Sequence, residues 1–185
     1  MAIKTFTTGE VLTASDTNTY LNNGGLVYVS TTTVGSGVTS VTINNVFTST
    51  YDAYKLVARG VGCSTEGSAS LQLTASATPL ATGYYGALIF SGTGTLQQVV
   101  NTNATQFGFI CAHGNTAGLS LDVDIHSPAK TEMTWVANAS YVRFDYYGSY
   151  NAYSNSASAY DGFKIFPQSG TLTGGTITVY GYRKA

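Results

Sequence analysis

The sequence predicts an all-β fold: a jelly-roll-like β-sandwich with a short helix and an extended anchoring segment at its N-terminus. Three observations carry this. From Leu26 onward apolar residues recur with a period of two, as on strands with one buried face. Clusters of Gly, Pro, Asn and Ser interrupt that pattern at short intervals, which leaves room for strands and not for long helices. There is no repeat of solenoid or propeller length and no heptad pattern, so a sandwich of short strands remains.

The chain divides into an N-terminal segment, 1–25, and a β-body, 26–185. Within the segment Thr13 is an N-cap, and Asp16 sits three residues on, where a capping-box acid belongs and the helix dipole favours negative charge. Leu12 precedes the cap as a staple residue. Ala14 to Asn22 then reads as a helix of about two turns, with Tyr20 and Leu21 as its apolar content and Gly24 as its stop. A helix this short does not hold alone in water and must dock on something.

In the body, strands are expected over Leu26–Val34, Val38–Phe47, Tyr54–Val61, Ala69–Ala75, Tyr84–Phe90, Leu96–Val100 and Gln106–Ala112. Leu119–His126 alternates most cleanly: Leu119, Leu121, Val123 and Ile125 face one way, and Ser120, Asp122, Asp124 and His126 the other. Pro128 ends it. Thr131–Ala137 and Tyr141–Tyr147 are expected to pair across a turn at Asn138–Ala139. Gly148–Ala159 reads as a polar loop, and Gly162–Phe166 and Thr176–Tyr182 close the chain. That makes about ten or eleven strands.

Size and charge bound the function. The 185 residues fit one domain, or one domain with a small appendage, and suffice to bury a core. Charged residues make up 9% of the chain and the net charge is −1. With no Lys/Arg cluster, nucleic acid is not an expected partner, nor is an anionic membrane surface. No run of 18 apolar residues exists, so membrane insertion is not expected either. Met1–Glu10 has one Lys and no apolar stretch, unlike a secretory signal, so synthesis in a cytoplasm is expected. Cys63 and Cys111 lie among small or apolar residues, as buried free thiols do. They can pair only if the fold brings their Cα atoms within about 7 Å.

Catalytic signatures are missing. There is no nucleophile elbow, no zincin helix motif, no phosphate loop and no Cys-x-x-Cys. No enzyme activity and no cofactor is therefore expected. Asp122, Asp124 and His126, spaced two apart on one strand face, are a weak candidate for a divalent ion site. The simpler reading is the charged outer face of a strand. His113, in Ala-His-Gly-Asn, reads as a solvated turn residue. The 14 tyrosines are more informative, because Tyr combines flat apolar area with a hydroxyl at low entropic cost. Tyr146, Tyr147, Tyr150, Asn151, Tyr153 and Tyr160 form a candidate patch for a glycan or a protein partner. The alternative is that these tyrosines are strand and interface residues.

The opening stretch KTFTTGEVLTASDTNTYLNNGG resembles the N-terminal segment of tailed-bacteriophage virion proteins: minor tail proteins, tail fibres and tailspikes. There a phrase of the type F-x-x-G-E-x-L-T-A-x-D-x-N opens the chain and an all-β body follows. Phe6, Gly9, Glu10, Leu12, Thr13, Ala14, Asp16 and Asn18 carry the match, and the last strand, Gly174–Lys184, resembles the closing strand of small phage β-domains more loosely. The resemblance implies a virion structural protein made in the host cytoplasm: a small tail fibre, adaptor or minor tail protein. It would dock on other virion proteins through Phe6, Glu10, Leu12, Asp16, Tyr20 and Leu21, and display a β-sandwich for host attachment. It also implies a homotrimer. A capsid decoration protein and a stand-alone glycan-binding module are the alternatives.

Overall fold

A computed structural model describes residues 7–16, 25–92, 94–114, 118, 119, 121–143 and 146–184. Among these, helix is confined to α1 (Ala14–Asp16). The expected capping box is formed. Asp16 N–H donates to Thr13 Oγ1 at 3.1 Å, and Thr13 donates its N–H and hydroxyl to Asp16 Oδ2 at 3.2 and 2.6 Å. Phe6, Tyr20 and Leu21, and the helix beyond Asp16, lie outside the described residues.

The rest is strand. In chain order these are β1 (Leu26–Thr33), β2 (Val41–Ile43), β3 (Ala53–Arg59), β4 (Gly62–Cys63), β5 (Gly67–Ala75), β6 (Thr78–Pro79), β7 (Tyr84–Gly92) and β8 (Thr95–Ala104). There follow β9 (Phe107–Gly114), β10 (Gly118–Leu119), β11 (Asp122–His126), β12 (Thr134–Arg143), β13 (Tyr146–Ser154), β14 (Gly162–Pro167), β15 (Leu172–Thr173) and β16 (Thr176–Tyr182).

Two antiparallel sheets face each other. The larger has eight strands in the order β1-β16-β3-β11-β12-β13-β7-β8, and the smaller runs β10-β9-β5-β14-β2 with β6 on β5. β4 and β15 form a separate two-stranded pair. The quartets β1-β16-β3-β11 and β9-β5-β14-β2, with the chain crossing between them, are the two halves of a jelly roll. Two hairpins inserted between jelly-roll strands, β7–β8 and β12–β13, then extend the larger sheet beyond β11. The candidate site is built on this extension.

Apolar side chains from both sheets fill the space between. Leu56, Val123, Ile125, Ile177 and Val179 come from one, and Leu71, Leu73, Ile110, Phe163 and Ile165 from the other. Tyrosines bridge the layers. Tyr84 accepts the N–H of Leu73 at 2.9 Å, and Tyr150 accepts that of Gly108 at 3.3 Å. β5 and β9 slip register between Ala69 and Leu71, and Gly108 lies within that irregularity. The Tyr150 hydroxyl thus replaces a partner there. Burial pushes the Tyr150 phenol up to about 12 and moves Tyr84 up as well.

Four expectations are corrected. First, no turn divides Thr131–Tyr147 at Asn138–Ala139. β12 runs straight through that point with a β-bulge: Val136 pairs with Ala152, but Ala139 pairs with Tyr150. Asn138 takes a φ of 54°, so its left-handed preference serves a bulge instead of a turn. Second, most of the expected loop Gly148–Ala159 belongs to β13, which is hydrogen-bonded on both sides, to β12 and β7. Its Tyr, Ser and Asn residues form one polar and one buried face. Third, Leu119–His126 is not one strand. Leu119 belongs to β10 on the smaller sheet and Asp122–His126 forms β11 on the larger. Fourth, His113 is fully buried in β9, its ring nitrogens 2.8 Å and 3.1 Å from the carbonyl oxygens of Thr65 and Ser68.

Cys63 and Cys111 are buried free thiols. Burial raises the Cys63 thiol to about 11 and raises Cys111 strongly.

Candidate ligand-binding site

The parity of β12 decides what its outer face shows. After the bulge the odd-numbered Ala139 and Tyr141 turn inward: Ala139 is buried, and Tyr141 packs on Phe109 with ring centroids 6.4 Å apart. The bulge adds one residue, and this inverts the alternation. Before it, Thr134 and Val136 are buried, and Trp135 is turned out, 47% exposed. Asn138 holds the bulge in place. Its N–H donates to Asn151 Oδ1 at 3.3 Å and its side-chain amide donates to Asp124 Oδ2 at 3.1 Å.

Trp135 thereby joins a row of rings. Trp135 pairs with Tyr153 on β13, and Tyr153 pairs with Tyr85 on β7. The Trp135 and Tyr153 ring centroids lie 5.5 Å apart at 41°. The Tyr153 and Tyr85 rings are parallel within 8°, 5.2 Å apart. The next row along the strands is lower. Asn151 pairs with Ala87 and Ala87 with Val100, so small side chains stand beside large flat ones. The step creates an open cleft of about 560 Å³, within the size range of small-molecule sites.

The cleft is neutral. Its walls are aromatic and aliphatic, and the polar groups beside them are the amides of Asn151 and Asn101 and the hydroxyl of Thr102. Gly86 at its floor is a packing requirement: a Cβ there would lie 2.6 Å from the Tyr150 hydroxyl and 2.7 Å from Ala152 Cβ. Flat rings, amides and no net charge suit a neutral, hydroxyl-rich ligand with an apolar face.

The expected tyrosine patch is split by strand alternation. Tyr153 and Asn151 line the cleft, and Tyr147 is exposed on the same face near the other end of β13. Tyr146 is half-buried, with its ring 5.8 Å from that of Phe90. Tyr150 is fully buried in the core and Tyr160 is 4% exposed, its N–H bonded to Pro128 O, so neither presents a surface. Trp135 and Tyr85 went unnoticed as site residues. Tyr85 shares its residue type with the expected patch, but for Trp135 the sequence parity points to the wrong face.

Asp122, Asp124 and His126 lie on the outer face of β11, and the carboxylates already have protein partners. Lys55 Nζ contacts Asp122 and sits 3.6 Å from Asp124. The Tyr182 hydroxyl donates to Asp124 Oδ1 at 2.6 Å. Burial raises the Asp124 carboxyl, but hydrogen bonds from Tyr182 and Asn138 and the charges of Lys55 and His126 outweigh it and hold it below its ordinary value. The set ties β16, β3, β11 and β12 together. Among the described residues no group of three or more His, Cys, Asp or Glu is placed to hold a metal.

Of the anchoring residues, Glu10 accepts from the N–H of Thr7 at 3.1 Å in a tight turn, and Leu12 projects from the segment into solvent, as does its neighbour Val11. No described helix is long and apolar enough to cross a membrane. No protein-family model, no curated protein and no solved structure matches the chain.

Proposed function

We propose that this chain is a structural and host-binding component of a tailed-phage particle. It docks by its N-terminal segment and displays the outer face of the eight-stranded sheet to a saccharide. The observation that carries the binding half is the row Trp135–Tyr153–Tyr85 above a neutral cleft. Aromatic faces cover the C–H face of a sugar ring, and nearby amides and hydroxyls bind its hydroxyl groups. The particle setting rests on the resemblance carried by Phe6 to Asn18. The exposed Val11 and Leu12 supply apolar surface for such docking.

The test is calorimetric titration of the full chain with neutral host-surface polysaccharides. Tyr153→Ala should weaken binding about tenfold, or about 1.4 kcal/mol, with an unchanged melting temperature. Equal affinity of both proteins would reject the cleft. For the docking half, a chain lacking residues 1–24 should fold, keep its saccharide affinity and fail to join particles. Incorporation of the shortened chain would reject it.

A further inference from the structure

The eight-stranded sheet ends on β8, and over Thr95–Asn101, short of the register shift near its C-terminal end, β8 lacks the devices that blunt a sheet edge. Edges are normally protected by shortness, charge, proline or bulges. The other edges here follow that rule: β1 carries a register shift between Tyr28 and Ser30, β2 has three residues and β10 two. β8 has ten residues, TLQQVVNTNA, with no charge and no proline. Among the described residues β7 is its one neighbour. Leu96 and Val100 stand on its outer face, 74% and 62% exposed.

We infer that β8 pairs with β8 of a second copy, antiparallel, about a two-fold axis at Gln98. The occupant follows from the strand's own symmetry. β8 runs in unbroken register with β7 from Thr95 to Asn101, and Gln98 is the midpoint of that run. Beyond it the register shifts and Asn103 turns to a φ of 50°. About Gln98 the outer face reads Leu96, Gln98, Val100. A two-fold axis there sets each Leu96 against Val100 of the other copy and the two Gln98 amides against each other. On the inner face Gln97 meets Val99. A self-complementary patch of this kind is what a two-fold interface needs, and the row holds no charge for a charged partner to read.

The pairing has a consequence for ligand binding, which rests on the saccharide reading while the pairing itself does not. Val100 lines the cleft. With the axis at Gln98 the two Val100 side chains lie four residues apart along the strands, about 14 Å, on one face. Two clefts then open side by side, and one polysaccharide chain can occupy both.

The experiment is sedimentation equilibrium of the full chain across a concentration series. The wild-type protein should be dimeric. Gln98→Lys and, separately, Gln98→Glu should be monomeric with an unchanged melting temperature, since position 98 is exposed. Mixing the two variants should restore a dimer, because position 98 faces itself. Leu96→Lys gives a second monomeric variant should position 98 disturb folding. A monomeric wild type, a dimer or trimer indifferent to these substitutions, or mixed variants that stay monomeric would each overturn the inference. Saccharide titration of Gln98→Lys separates the two readings: a monomer that binds with lower avidity supports the side-by-side clefts, and unchanged avidity rejects them.

Discussion

Trp135 faces solvent while Tyr141, on the same strand and at the same parity, turns to the other face and packs its ring against Phe109 at the margin of the core. A straight strand would put both on one face. The single extra residue at Ala137–Asn138 separates them, so the aromatic row depends on a backbone irregularity. Asn138→Val should therefore lower stability by about 1–2 kcal/mol, because a β-branched residue resists a left-handed φ. Asn138→Gly should lose less. Urea denaturation followed by Trp135 emission measures both.

Trp135 is the one tryptophan in the chain and reports directly on the cleft. A bound saccharide should shift its emission and shield it from acrylamide. Tyr147→Ala, on the same face but a strand's length away, should leave that response intact. Shielding that persists in Tyr153→Ala would contradict stacking on the row.

Tyr150 acts in the core, not at the surface. Tyr150→Phe leaves the Gly108 N–H without its acceptor and should cost about 1–3 kcal/mol. Tyr150→Ala should cost about 3–5 kcal/mol, as for other large buried rings. Denaturant midpoints check both, and the folded Phe variant should bind saccharide normally.

Asp124 gives a pH dependence with a defined sign. Its folded pKa lies below the ordinary value of 3.8. A depressed carboxyl contributes stability that is fully present above the ordinary value and is lost as pH falls through the folded one. Asp124→Asn should flatten this acid limb of a melting curve series. Asp124→Ala should cost about 2 kcal/mol at neutral pH, since Tyr182, Asn138 and Lys55 lose a charged partner. Chelator should not shift the melting temperature, because these carboxylates are already bound by protein groups.

Cys63 and Cys111 should resist thiol reagents in the native state near neutral pH and react in denaturant. Burial hides both sulfurs, and a Cys63 thiol near 11 holds little thiolate. Fast native labelling would contradict their placement.

Local patterns were legible where local physics decides. Thr13 and Asp16 form their capping box because its partners are three residues apart. Val123 and Ile125 bury themselves as their alternation predicts, and the run of period-two segments leads to an all-β sandwich. The Gly148–Ser154 part of β13 reads as a loop because Gly, Ser and Asn carry weak strand preference on their own. Its ladder is supplied by β12 and β7, from other parts of the chain.

By itself, then, the sequence determined the fold class, the N-terminal cap, the scarcity of charge and the wealth of tyrosine. Those depend on composition and on neighbours a few residues apart. The tertiary structure decided which tyrosines are core and which are surface, and it brought Trp135, Tyr153 and Tyr85 into one row. That row is set by the register between three strands, and one bulge at Asn138 inverts the face that Trp135 would otherwise take. A one-residue shift in long-range pairing leaves no local trace in the sequence, yet it moves an indole from the core to the cleft.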